Sequence, residues 1–256
     1  MKKIFAILLA LLLVFTMVAC SDDDETGNDD NNLAVTNNDF IFKPQSQYGD
    51  SFEYEVINGD EIAIIGFEAS YTPHEITIPA TIDERPVVQI SASAFRGKSN
   101  ITKVTIPASV TVIGEFAFAA CEQLVTVEMS ASVKTIGDYA FAQCYALKTI
   151  LLPDSLTALG DGAFYKCAEL EEINIPANVT VIGDLTFMDC EKLTTVNGAA
   201  AIITIGDFSF CGCDVLADMP FASTIQTIGK YAFSGCKALT APTLGSGVVV
   251  GEYAFS

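Results

Sequence analysis

The sequence predicts an α/β repeat solenoid of 23-residue units, with a parallel β-sheet on one face and short strands and short helical or 3-10 turns opposite. Three observations predict it. Gly114, Gly137, Gly160, Gly183, Gly206 and Gly229 recur 23 residues apart, and the columns Phe95 to Phe233, Cys121 to Cys236 and Leu124 to Leu239 keep the same step. A fixed period of roughly 20 to 50 residues marks stacked supersecondary units, each covering its neighbour's apolar faces. Half of the 256 residues are hydrophobic, enough for a long core. Several periods also hold one short alternating run closed by proline, as in "LEEINIP" (Leu170 to Pro176), where proline ends the strand ladder.

Residues 1–19 read as a lipoprotein signal peptide. Lys2 and Lys3 precede the apolar run Ile4 to Val18, which is short for a transmembrane helix and ends in "MVAC". That ending resembles a bacterial lipobox, with Met17 where the family usually has Leu. The resemblance implies cleavage before Cys20 and acylation of Cys20, and several acyl chains on one residue anchor stably. Residues 20–45 then form a lipid-anchored, acidic, disordered tether, because "SDDDETGNDDNN" has no residue to bury. An acidic cluster directly after the lipid cysteine also resembles the surface-export signal of Bacteroides-type lipoproteins. The expected address is the outer membrane, exposed at the cell surface.

Residues 46–75 are expected to form an N-terminal β-hairpin cap, with Asn58-Gly59 turning between alternating strands. Residues 76–256 carry the repeats. The first, "IPATIDERPVVQISASAF", has an insertion around Asp83 to Pro86 and Ser91 in place of the turn glycine. In the regular unit, "LKTILLP" points Leu147, Ile150 and Leu152 inward and Thr149 and Leu151 outward. A second apolar pair such as Val133 and Ile136 follows, and Gly137 is expected to turn the chain at positive φ. "DYAFAQC" is too short for an independent helix and is expected to make one tight helical or 3-10 turn that drives Phe141 inward. Repeat five loses its Ile-Pro pair, and repeat six has "DMPF" at the strand. The last copy stops at "GEYAFS"; an uncapped repeat end exposes apolar surface, so a truncated array or a missing irregular cap is expected.

The phrase "IP..V..IG..AF..C..L..V.IP" resembles the leucine-rich repeat of BspA-like surface proteins, also called the Treponema pallidum type. The resemblance covers about residues 76 to 256. It implies a right-handed leucine-rich-repeat solenoid and a role in adhesion or surface interaction.

No site for chemistry emerges. The six column cysteines, each with Leu three residues later, read as buried free thiols, because a disulfide framework varies its spacing. "CGC" at Cys211 to Cys213 lacks a neighbouring His for metal. "GSGVVVG" has the wrong spacing for a phosphate loop, and the lone His74 has no nucleophile in a recognisable context. The expectation is a non-enzymatic protein without cofactor. A net charge of -19 disfavours nucleic acid, whose phosphates need Lys and Arg.

Two surfaces remain. The outward sheet positions are Lys103, Thr105, Thr126, Glu128, Thr149, Leu151, Glu172, Asn174, Thr195 and Asn197, a polar strip without aromatics. It suits a protein partner, host or bacterial, better than stacked sugars; carbohydrate capture in a glycan-uptake system and a purely structural envelope role are the alternatives. The second surface is the ladder Phe116, Tyr139, Leu185, Phe208, Tyr231 and Tyr253, interrupted by Gly162, which repeat packing accounts for.

Overall fold

The computed structural model describes residues 52–67, 72–198, 201–218, 223–240 and 242–256. The signal segment, Cys20, the tether and Met219 to Phe221 of repeat six lie outside the described residues.

Strand β1 (Phe52–Ile57) and strand β2 (Glu61–Phe67) pair antiparallel. Asn58 and Gly59 both take positive φ, 52° and 88°, so the hairpin turns where Asn-Gly chemistry allows it. Strands β4 (Thr81–Ile82) and β5 (Arg85–Ile90) form a second small hairpin at the insertion, with Asp83 and Glu84 at positive φ. Strand β2 then pairs parallel with β5, so the hairpin continues directly into the stack.

The repeats wind into a β-solenoid of about eight turns with parallel sheets. On one side, β3 (Glu75–Thr77), β6 (Lys103–Ile106) and β8 (Thr126–Met129) form one sheet, and β10 (Thr149–Ile150), β12 (Glu172–Asn174) and β14 (Thr195–Asn197) form another. On a second side, β5 is followed by β7 (Val112–Ile113), β9 (Thr135–Ile136) and β11 (Ala158–Leu159). A separate sheet there holds β13 (Val181–Ile182), β15 (Thr204–Ile205), β16 (Thr227–Ile228) and β17 (Val249–Val250). The register advances by one repeat per strand: Lys103 pairs with Thr126, Thr149 with Glu172, and Glu172 with Thr195. Identical columns therefore stack. Phe95 to Phe233 lie 0–2% exposed with ring centroids 5.2–5.7 Å apart, close to parallel, a spacing suited to offset stacking.

The third side corrects two expectations. The segment after each turn glycine is neither α nor 3-10 helix among the described residues, so the α/β label gives way to an all-β solenoid. Its backbone amides alternate in direction instead. Ala140, Ala142 and Cys144 donate within the turn to Gly137, Tyr139 and Phe141. Tyr139, Phe141 and Gln143 donate to Asp161, Ala163 and Tyr165 of the next turn, at 2.6–2.9 Å. Tyr139 and Gln143 reach this geometry at φ 54° and 60°. A helix would spend every amide within its own segment; this chain of β-turns satisfies half of them across the stack.

The turn glycine also has a different cause. Gly137 is not at positive φ. A Cβ on it would meet Glu115 N at 2.7 Å and Gly114 C at 2.8 Å. The preceding turn's backbone packs directly on it, so close approach selects glycine, and the left-handed conformation sits two residues later.

Candidate binding face

The sheet side built from β3, β6, β8, β10, β12 and β14 presents all ten predicted positions outward. Thr126, Glu128, Thr149, Leu151, Glu172, Asn174, Thr195 and Asn197 are exposed, and Lys103 and Thr105 are half-buried. The alternating partners Val104, Val127, Ile150, Ile173 and Val196 are buried beneath them.

Two columns run along the face. By repeat phase the first is Lys103, Thr126, Thr149, Glu172 and Thr195 and the second is Thr105, Glu128, Leu151, Asn174 and Asn197. Strand pairing joins their members from β6 to β8 and from β10 to β14, with Leu151 lying just past β10. Lys103 Nζ lies 2.6 Å from Glu128 Oε1, and Thr105 Oγ1 donates to Glu128 Oε2 at 2.9 Å. The hydrogen bond from Lys103, then that from Thr105, hold the Glu128 carboxyl below the usual range. The same contact raises the Lys103 ammonium. The pair lies at the surface, with Glu128 exposed and Lys103 half-buried, so it orders side chains more than it stabilises the fold. Leu151 stands apart: it is 73% exposed, the most exposed large hydrophobic residue described. It follows β10 in a column otherwise made of Thr, Glu and Asn.

The aromatic column belongs to packing. Phe116 and Tyr139 stack at 5.1 Å, and Phe208, Tyr231 and Tyr253 stack at 4.9 and 5.1 Å. Tyr139 is 7% exposed and packs with Ala119, Ala142, Phe116, Tyr165 and Leu185 in a small second cluster. Its ring occupies the space above Gly162, where a Cβ would fall 2.3 Å from the ring edge. Burial, then the nearby Asp161 and Asp138, push the Tyr139 hydroxyl up to about 12.

Beside this column runs a feature that sequence reasoning missed. Asp138 Oδ1 accepts from Asp161 N–H at 2.9 Å. Asp161 does the same for Asp184 at 3.0 Å, Asp184 for Asp207 at 2.7 Å, and Asp207 for Lys230 at 2.7 Å. The signal was the Asp after four consecutive turn glycines. Among the described residues, no group of three or more His, Cys, Asp or Glu is arranged to hold a metal ion. No helix there is long and apolar enough to cross a membrane. The described cysteines are free, and Cys144 Sγ donates to Phe118 O at 3.3 Å, a contact repeated up the column. His74 ties a loop: its carbonyl accepts from Thr102 N–H at 2.6 Å.

Comparison with known proteins agrees with this geometry. The BspA type Leucine rich repeat region matches in six copies over residues 88–207 and 180–256. A leucine-rich repeat protein from Bacteroides ovatus is 34% identical, with a TM-score of 0.73, over 81% of this chain and 55% of its own. A leucine rich cell surface protein from Faecalibacterium prausnitzii is 31% identical, with a TM-score of 0.67, over 78% of this chain and 54% of its own. The chain therefore spans about half the length of these two relatives. The T. pallidum leucine rich repeat protein, 24% identical with a TM-score of 0.54 over 74% of this chain and 88% of its own, shares the fold. No curated protein matches the chain. The repeated glycine, phenylalanine and cysteine columns, the stacked parallel strands and the six matched copies together place this chain in the BspA type leucine-rich repeat family, to which it belongs.

Proposed function

We propose that this chain is a lipid-anchored cell-surface repeat protein that binds a protein partner, host or bacterial, across the sheet face centred on β8, β10 and β12. Leu151 carries the reading. A side chain of that size exposed to 73% on an otherwise polar sheet costs solvation and contributes nothing to the core. At an interface it becomes a central apolar anchor, with Thr149, Glu128, Glu172 and Asn174 as a polar rim. The absence of aromatic side chains from the ten outward positions counts against sugar stacking. The surface address is supported by the Faecalibacterium relative, described as a cell surface protein. The anchor is supported by Cys20 closing the apolar leader.

The test is parallel binding of the protein to host extracellular proteins and to a glycan array. Protein partners are expected, with Leu151→Asp lowering affinity about tenfold or more, roughly 1.4 kcal/mol. Glycan partners alone, or unchanged protein binding by Leu151→Asp, would overturn the reading. Palmitate should label the wild type and not Cys20→Ala; equal labelling of both defeats the anchor.

A further inference from the structure

We infer that one turn of the solenoid, residues 145–167, is an articulation point about which the turns before and after it bend relative to each other. Three backbone ladders join successive turns, the two sheet sides and the turn segments, beside the aspartate ladder and single bonds such as Ala146 N–H to Glu122 O at 3.2 Å and Glu169 N–H to Tyr145 O at 3.3 Å. Only residues 145–167 combine a break on each sheet side among the described residues. Strand β10 bonds forward to β12 but belongs to a different sheet from β8. Strand β11 bonds backward to β9 but belongs to a different sheet from β13. The two breaks are therefore staggered. Through its strands, this turn is tied to its predecessors on one side and to its successors on the other.

The turn ladder runs unbroken through both junctions and supplies the pivot. Phe141 N–H donates to Ala163 at 2.9 Å, and Gly162, Phe164 and Lys166 donate to Asp184, Thr186 and Met188 at 2.8–2.9 Å. The buried ring stack gives an independent sign. Phe164 is 5.7 and 5.6 Å from its neighbours, whereas the other buried column spacings are 5.2–5.3 Å.

The local sequence explains the loosening. The strand position filled by Thr135, Thr204 and Thr227 is Ala158 here, and the buried Ile column is Leu159, which is only half-buried. Ala and Leu favour strand conformation less than the β-branched residues they replace. Gly162 stands where the neighbouring turns have Tyr139 and Leu185, so it adds no side chain to the cluster on the pivot side. Elements with fewer cross-strand bonds open at lower free energy than their surroundings.

The test uses residual dipolar couplings of backbone amides, measured on the deuterated full chain in a weakly aligning medium. Amides of the turns before residue 145 and after residue 167 are fitted to alignment tensors separately. Articulation predicts different tensor magnitudes for the two sets and loss of a common fit. Ala158→Thr with Leu159→Ile should rebuild the β11–β13 ladder and restore one shared tensor. A single tensor that fits both sets in the wild type overturns the inference. So does a mismatch left unchanged by the double substitution. Neither outcome depends on what the sheet face binds.

Discussion

A repeat protein makes each residue's role visible by comparison with its own copies. The buried column Ala117, Ala140, Ala163, Thr186, Ser209 and Ala232 shows this. Thr186 Oγ1 donates to Gly183 O at 2.9 Å, but the Ser209 hydroxyl is buried without a partner. A buried unsatisfied hydroxyl costs about 1–3 kcal/mol, so Ser209→Ala should raise stability by roughly 0.5–1.5 kcal/mol in urea unfolding. Gly137→Ala should act in the opposite direction. The atoms that a Cβ meets are backbone of the preceding turn, which cannot rotate away. A loss of about 2 kcal/mol or more is expected, and a loss under about 0.5 kcal/mol would show that the turns separate easily. The same residue shows a limit of sequence reading. Glycine was legible as obligatory, but close approach and positive φ both demand glycine, and only the stacked backbone separates them.

At the scale of elements, the aspartate ladder joins turns where no strand does. Desolvation, followed by the neighbouring Asp184 and Asp138, raises the Asp161 carboxyl above the ordinary carboxylate range despite the hydrogen bond from Asp184 N–H. A raised folded value means that the native state holds its proton longer than the unfolded chain. Its stabilising contribution is therefore complete below the unfolded value, about 3.9, and is lost as pH rises through the folded value. Asn keeps the Oδ1 acceptor and removes the charge. Asp161→Asn should melt higher than the wild type by roughly 1–2 °C at pH 7 and at the same temperature near pH 3. Equal melting curves at both pH values would remove the electrostatic account. The strands were legible from alternation and proline. The turn segments were misread as helical because their length and composition allow a helix, while the amide partners that decide lie one repeat away.

For the whole molecule, charge and stacking act together. The net charge is -19, and identical acidic columns place like charges one turn apart. Self-repulsion of this kind is screened over a Debye length of about 10 Å at 0.1 M salt. The melting temperature should rise as sodium chloride increases from 10 to 500 mM by differential scanning fluorimetry; a fall would mean that ion pairs such as Lys192–Glu169 and Lys237–Asp214 outweigh repulsion. The period, the buried columns, the cap turn at Asn58-Gly59 and the outward identity of the ten face residues were determined by the sequence itself, because side-chain hydrophobicity and spacing act locally and repeat in phase. The all-β turn ladder, the contact that excludes a Cβ at Gly137 and the staggered breaks around residues 145–167 were decided only in the tertiary structure. Each depends on which backbone groups of one turn meet those of the next, a relation set by the packing of the stack.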